Sequence, residues 1–234
     1  MAERTIAPRP YAFPIPDELS DETAAALPNP GVSAWLSLSY RAGLAVGDNV
    51  LILGATGVTG KLAIMIAKLL GARRVVAAGR DREALSALHE LGADATVHFD
   101  APAAEVADAY AMEGGDAGFQ VVLDYVWGPP AEAFLAAISR REFAVISSET
   151  RYVQVGENAG PVISLPAATL RSTAVKIMGT AGIPPREVLG DAMQKVLSHA
   201  ARGQLRIDTD RVPLADIETA WTRRQGGRRL VVAP

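Results

Sequence analysis

The chain has 234 residues, enough to bury a full core as one large domain or as one domain with appended pieces. Its 49% hydrophobic and 21% charged content is that of an ordinary globular protein, and a net charge of −3 offers no basic surface for nucleic acid. There is no cysteine, and the three histidines (His89, His98 and His199) are not at ligand spacing, which excludes disulfides, thiolate nucleophiles and cysteine-based metal sites.

In chain order, Glu3 and Arg4 open a segment without the apolar core of a signal peptide, and no later apolar run approaches the roughly 18 residues of a membrane span. A cytoplasmic location without membrane partners is the expectation. Pro8, Pro10, Pro14 and Pro16 favour extended chain over residues 1–16, at most an edge strand around Arg4 to Ala7. Pro16, Asp17 and Glu18 lead into a helical turn. Ser20 is placed to cap a helix through Asp21, Glu22 and Ala24 to Ala26, which Pro28 and Pro30 end. A helix is expected from Val32 to Ala42, before Val46–Gly47–Asp48 turns into a strand.

Asn49 to Arg80 then predicts strand, glycine-rich turn, helix and strand. Val50, Leu51, Ile52 and Leu53 form the continuous apolar run of a parallel strand buried on both faces. Leu62, Ile66, Leu69 and Leu70 stripe one side of a helix that stops at Gly71, and Arg74 to Gly79 supply the second strand. Asp81 is placed to cap a helix carrying Leu85, Leu88 and Leu91 and ending at Gly92. Thr96, Val97 and Phe99 predict a third strand, Ala103 to Met112 a helix, and Phe119 to Tyr125 a fourth strand with Asp124 and Gly128 at its end. Pro130 to Arg140 is the next helix. REFAVIS, within 141–150, fits an extra helical turn or a short strand equally. Tyr152 to Val155 and Ala174 to Met178 read as the fifth and sixth strands, Glu187 to Ala200 as a closing helix, and Arg229 to Ala233 as a last strand. RIDTDR, with Asp208 and Asp210, reads as a solvated surface stretch. The alternation predicts an α/β fold, a doubly wound parallel six-stranded Rossmann sheet with helices on both faces.

The first turn has a physical use. In the G-x-G-x-x-G register Ala55, Gly57 and Gly60 take the three small positions, directly after Gly54. A bare Gly57 lets the backbone approach a pyrophosphate, and Gly60 lets the helix pack closely on the strand. The helix N-terminus adds free N–H groups and the positive end of its dipole. The plain alternative is a tight turn that binds nothing. The second strand ends in Ala77, Ala78, Gly79 and Arg80 with no carboxylate at its tip, which favours the 2′-phosphate of NADP(H). Arg82 supplies a second charge, while Asp81 is the competing residue that would hold an NAD ribose. Ligands of such sheets lie at the strand C-termini, where glycines cluster at Gly54–Gly60, Gly79, Gly128, Gly156 and Gly179 to Gly182.

PNPGVSAWLSL, AVGDNVLILGATGVTG, LGARRVVAAGR, RYVQVGENAG, LPAATLRSTAVKIMGT and the terminal VPLADIETAWTRRQGGRRLVVAP resemble, in order and over nearly the whole chain, the medium-chain dehydrogenase/reductase superfamily. The branch most similar is the zinc-independent quinone oxidoreductases. The resemblance implies a hydride-transferring NADPH-dependent reductase of a small-molecule quinone, enone or carbonyl substrate. Zinc-dependent members bring a cysteine ligand from the lead-in, and none is available here. The resemblance places Ser33 near the nicotinamide, Thr56, Gly57 and Val58 on the pyrophosphate, and Arg80 at the 2′-phosphate. Phe99 flanks the adenosine. Val126, Trp127, Gly128 and Gly156 line the rest of the groove, and Gly179 and Thr180 sit at the nicotinamide end. No catalytic proton donor is assigned. It further implies that residues 1–45 are a remnant of a substrate domain with a helical lead-in, 46–203 the NADP-binding domain, and 204–234 a return segment packing with the remnant. Family members pair sixth strands across a homodimer, which is expected here through Ala174 to Met178.

GATGVTG is also similar to the opening of atypical short-chain dehydrogenases, including NADP-binding sensors. Active short-chain enzymes need a Tyr-x-x-x-Lys pair. Tyr11, Tyr40, Tyr110, Tyr125 and Tyr152 are followed four residues on by Ile15, Leu44, Gly114, Pro129 and Gly156, so that reading fails. A non-catalytic NADP-binding sensor or partner-binding module is the alternative. There is no G-x-S-x-G elbow and no P-loop pattern.

Overall fold

A computed structural model describes residues 6, 12–140, 149–180, 182, 184–222 and 226–234. The expected edge strand around Arg4 to Ala7, Ile6 apart, and the whole of the ambiguous REFAVIS stretch lie outside the described residues.

Six parallel strands form the central sheet: β1 (Asn49–Leu53), β2 (Arg74–Gly79), β3 (Ala95–His98), β4 (Val121–Asp124), β5 (Thr150–Gln154) and β6 (Val175–Gly179). Their spatial order is β3-β2-β1-β4-β5-β6, so the order reverses between β1 and β4. The central strand β1 explains the sheet. Its five residues are all buried, with Val50 and Ile52 packing into the cluster on one face and Leu51 and Leu53 into that on the other. Burying side chains of this size stabilises the fold by roughly 1.5–3 kcal/mol each, so a strand apolar at every position belongs at the centre of a two-faced sheet.

Helices α1 (Asp21–Ala26), α2 (Pro28–Leu36), α3 (Val58–Leu69) and α8 (Arg186–Ala201) contribute Leu27, Trp35, Leu62, Ile66 and Val196 to the first cluster or its margin. Helices α5 (Ala103–Gly114) and α6 (Gly128–Ser139) cover the opposite face through Val106, Tyr110, Phe134 and Leu135. Ser20 caps α1 as expected, its hydroxyl accepting from the Thr23 N–H at 3.2 Å. Asp81 caps the short α4 (Arg82–Ser86), which continues as a 3-10 turn to Leu91 and stops at Gly92, φ 104°. α7 (Ala167–Ser172) precedes β6.

The structure differs from the sequence reading in three places. α2 begins at Pro28, not Val32, because a proline in the first helical turn sacrifices no internal hydrogen bond. Its end widens into a π-turn over Ser37–Arg41. The RIDTDR stretch is not simply solvated: Thr209–Pro213 is strand β7, paired in parallel with β8 (Arg229–Ala233) in a separate two-stranded sheet, so the last strand does not extend the main one. Val212 and Val231 are the buried residues of this pair, α1 packs against both strands, and Glu22 lies 3.5 Å from Arg211. The short α9 (Ile217–Trp221) joins the pair.

Candidate cofactor groove

The C-terminal ends of β1, β2, β4 and β5 meet at one edge, and bare backbone makes the meeting possible. Gly54 leaves β1 with φ 81°, and a Cβ there would lie 2.7 Å from Val126 Cγ1. Ala55 is fully buried. Gly60 is packed so tightly that a Cβ would stand 2.5 Å from the Gly54 carbonyl oxygen and 2.6 Å from Ala55 Cα. This is the close helix-on-turn contact expected of the third small position. Gly57 differs: it is exposed, its φ of −75° suits any residue, and its nearest neighbour in the Cβ direction is Gly54 O at 3.6 Å. The protein does not need glycine there for its own packing. α3 begins at Val58 with no side-chain cap, so the positive end of a twelve-residue helix faces outward beside that open position. These features fit a bound pyrophosphate.

At the end of β2, a Cβ on Gly79 would stand 2.8 Å from Thr56 Cγ2, so the second strand and the glycine-rich turn pack edge to edge. Arg80 is exposed, and its guanidinium makes no hydrogen bond or ion pair with the described residues. Asp81 is occupied: its Oδ1 accepts from the N–H groups of Glu83 and Ala84 at 3.0 Å each. His98, at the end of β3, donates from Nε2 to the Arg80 carbonyl at 2.8 Å, while its Nδ1 is buried without a partner. A carbonyl can only accept, so this bond fixes the tautomer and ties the backbone of Arg80 to β3. Phe99 follows, half-buried, its N–H donating to the Gly79 carbonyl at 3.0 Å.

The opposite wall is built around Asp124, a carboxylate with no exposed surface. Its Oδ1 accepts from the N–H groups of Val126 and Trp127 at 2.8 Å each, and its Oδ2 accepts from the Tyr152 hydroxyl at 2.5 Å. Burial pushes the carboxyl above the usual carboxylate range, and these three hydrogen bonds oppose the shift. Burial likewise pushes the Tyr152 hydroxyl above its ordinary value, and the neighbouring carboxylate adds to the effect. Trp127 has φ 55° and ψ −158°, a region essentially reserved for glycine and costing on the order of 1–3 kcal/mol. Next to it a Cβ on Gly128 would meet Ala159 O at 2.8 Å, and one on Gly156 would meet Tyr125 O at 2.6 Å. Val126, Trp127, Gly128 and Gly156 are therefore one close-packed wall facing the Gly54 turn.

At the far end, a cavity of about 160 Å³ lies between α2 and the chain after β6, lined by Ser33, Ser37, Tyr40, Thr180 and Pro184 among others. Ser33 and Thr180, separated by most of the chain, thus share one recess beyond Gly179. The C-terminal sheet also reaches the groove. Lys61 of α3 pairs with Asp208 at 3.0 Å, and a Cβ on Gly227 would lie 2.7 Å from the Thr56 carbonyl. Sequence reasoning did not assign Asp124, Tyr152, His98 or Gly227 a part in this edge. Only Asp124 carried a usable signal, as an acid ending the otherwise apolar run Val121–Leu123.

Sheet order and a glycine-built C-terminal edge define a doubly wound domain of the nucleotide-binding class. Comparison with known proteins narrows the class. The profile of the zinc-binding dehydrogenase family matches residues 58–198, and the chain belongs to this family, within the quinone oxidoreductase-like medium-chain dehydrogenase/reductases. A probable NADPH-dependent quinone reductase, tdiC, of Emericella nidulans is 28% identical over 221 residues, covering 90% of this chain and 61% of the relative. Quinone oxidoreductase-like protein 2 of Bos taurus is 33% identical over 180 residues, covering 76% and 48%. A solved NAD-dependent alcohol dehydrogenase superposes with a TM-score of 0.79 at 27% identity, covering 97% of this chain and 63% of its own. The chain thus spans about half to three fifths of the length of these curated relatives. Among the described residues no group of three His, Cys, Asp or Glu side chains is arranged to hold a metal ion, and no helix is long and apolar enough to cross a membrane.

Proposed function

We propose that this chain binds NADP(H) and forms the cofactor half of a zinc-free oxidoreductase acting on small quinone, enone or carbonyl substrates. The observation that carries the cofactor choice is the tip of β2. Asp81 spends one carboxylate oxygen on the α4 cap, while the exposed Arg80 guanidinium beside Gly79 makes no hydrogen bond or ion pair among the described residues. A 2′-phosphate would find an unpaired cation at this strand tip, whereas a ribose hydroxyl would have to share a carboxylate already committed through one oxygen to the helix cap. The relatives named above include both NADPH- and NAD-dependent proteins, so the discrimination rests on these residues.

Gly54, Ala55, Thr56, Gly57, Val58 and Gly60 hold the pyrophosphate on the N-terminus of α3. Phe99 flanks the adenosine, and Val126, Trp127, Gly128 and Gly156 form the facing wall. Ser33, Gly179 and Thr180 orient the nicotinamide end. When bound, the nicotinamide supplies a hydride to the substrate; the chain's own residues bind, orient and exclude water around it. On this reading residues 1–45 and 204–234 belong to the substrate side and 46–203 to the cofactor side. The protein works in the cytoplasm as a homodimer paired through β6, an edge strand of the sheet.

Calorimetric titration with NADPH and NADH tests the reading. NADPH should bind at least tenfold tighter, and Arg80→Ala should remove that preference while sparing NADH. Equal affinity, or a preference for NADH, would assign the ribose to Asp81. NADPH binding without turnover of a quinone would make the chain a cofactor-binding module instead of a reductase.

A further inference from the structure

The β4–α6 turn contains an arrangement that cofactor contact alone does not account for. Trp127 is the sole non-glycine residue with positive φ among the described residues, although the sequence places Gly128 immediately beside it. Packing dictates where this turn must run. Val126 fills the space above Gly54, the loop at Ala159 lies against Gly128, and Gly156 lies against the Tyr125 carbonyl. The Ala159 N–H donates to the Val126 carbonyl at 2.7 Å, and the N–H groups of Val155 and Gly156 donate to the Asp124 carbonyl at 2.7 and 3.1 Å. The backbone cannot relax away on any of these sides.

We infer that Asp124 is a positioning residue whose buried carboxylate, with Tyr152, holds Trp127 in a glycine-type conformation and thereby presets the wall of the cofactor groove. One oxygen gathers the two consecutive N–H groups of Val126 and Trp127, which orients both peptide planes. The other accepts from the Tyr152 hydroxyl. The Tyr152 ring in turn meets the Trp127 indole edge to face, with centroids 6.2 Å apart and planes at 67°. Carboxylate, phenol and indole close a three-residue unit on one turn. A fully buried, hydrogen-bonded carboxylate gives such a unit its rigidity, because every donor would be stranded if it moved. Glycine at 127 would adopt the same backbone unaided. The carboxylate lets a bulky aromatic occupy a position that otherwise demands glycine. The inference deepens the cofactor reading given above and rests on it for the ligand.

A double-mutant cycle tests it, because only a mechanism acting through the backbone of Trp127 makes the two positions interdependent. NADPH is the probe in calorimetry, and thermal unfolding of the cofactor-free protein is the second readout. Asp124→Ala is expected to weaken NADPH at least tenfold in the native background and less than threefold beside Trp127→Gly. Its melting-temperature loss should shrink likewise. Equal losses in both backgrounds would overturn the inference. If Asp124→Ala does not fold, Tyr152→Phe and Asp124→Asn carry the test in a Trp35→Phe/Trp221→Phe background, where Trp127 is the remaining emitter. Tyr152→Phe should red-shift that emission and weaken NADPH three- to tenfold, while Asp124→Asn, which keeps an oxygen for both N–H groups, should retain most of the native emission and affinity. Unchanged emission and affinity in Tyr152→Phe would refute the unit. Should the native protein bind no NADPH, the cofactor reading fails, and the emission and melting readouts still decide the Asp124–Trp127 coupling.

Discussion

Gly57 and Gly60 lie three residues apart in one motif, yet the structure assigns them opposite sensitivities. At Gly60 an alanine methyl would stand 2.5 to 2.8 Å from backbone atoms of Gly54 and Ala55, which cannot rotate aside. Alanine gains about 1 kcal/mol in helix propensity, but overpacking a rigid contact costs roughly 1–3 kcal/mol and more where backbone must move. Gly60→Ala should therefore lose about 1–2 kcal/mol net, lowering the melting temperature by roughly 2–8 °C for a chain of this size. At Gly57 the methyl meets nothing closer than 3.6 Å, and φ −75°, ψ 165° is ordinary for alanine. The entropic gain of roughly 0.4–1 kcal/mol opposes a comparable loss at an N-cap, so stability should change by less than about 1 kcal/mol. The same methyl projects into the space above the α3 N-terminus, where it would hold a pyrophosphate off the backbone. Gly57→Ala should thus weaken NADPH at least tenfold, about 1.4 kcal/mol, with an almost unchanged melting curve. Differential scanning calorimetry without cofactor, paired with NADPH titration, separates the two effects. Native-like affinity in Gly57→Ala, or an unshifted melting point in Gly60→Ala, would refute this account of the turn.

Other outcomes follow from the same packing. Arg151 donates to the carbonyls of Ala42 and Gly43 at 2.8 and 2.6 Å and to Asp48 at 2.6 Å, so it ties the lead-in helix to β5. Arg151→Met should cost on the order of 2–4 kcal/mol in urea unfolding, since it removes the counter-ion of a half-buried carboxylate, leaving it the Ala45 N–H alone, and takes a donor from two carbonyls; a loss below 1 kcal/mol would contradict that. The Lys61–Asp208 pair is more open, with side chains 25% and 56% exposed, and Asp208→Asn should change stability by no more than about 1 kcal/mol. Burial raises the hydroxyls of Tyr110, Tyr125 and Tyr152 above their ordinary value of 10.0, so the folded state keeps protons that the unfolded chain releases. Stability should be intact below pH 10 and fall above it, by up to about 1.4 kcal/mol per pH unit for each tyrosine. Tyr125→Phe should remove one proton's share of that slope between pH 10 and 11, and an unaltered slope would count against it. Light scattering at micromolar concentration should give twice the chain mass if β6 pairs across a two-fold axis; a monomer would refute that pairing.

The sheet was legible because β1, β2 and β4 are apolar at nearly every position, a pattern that burial on both faces requires, and because glycine-rich turns end them. The glycine-rich turn was legible too, since spacing alone separates a close-packed Gly60 from the rest. The lead-in helix was misplaced at its start because Pro28 and Pro30 read as breakers, whereas the first turn of a helix tolerates them. Thr209–Pro213 was hidden by its charges: the small sheet buries only Val212 of this strand and leaves the adjacent Asp210 and Arg211, which point to opposite faces, both exposed. The Asp124–Tyr152 bond joins residues 28 apart and depends on neighbouring parallel strands in register, Asp124 beside Gln154 and Val122 beside Tyr152. No local pattern encodes such a pairing. Ser33 and Thr180, which line one cavity, are likewise joined by no local pattern; only the family resemblance put both at the nicotinamide end.

The central claim is that a dinucleotide lies along the C-terminal edge of this sheet, and amide chemical-shift mapping with NADPH tests it most directly. The account predicts saturable shifts at Gly54, Gly57, Gly60, Arg80, Trp127, Gly128 and Gly156, with Ser33 and Thr180 moving only when the nicotinamide half is present. Shifts confined instead to the recess of about 500 Å³ between residues 13–16 and α8, or no shifts at millimolar NADPH, would contradict it.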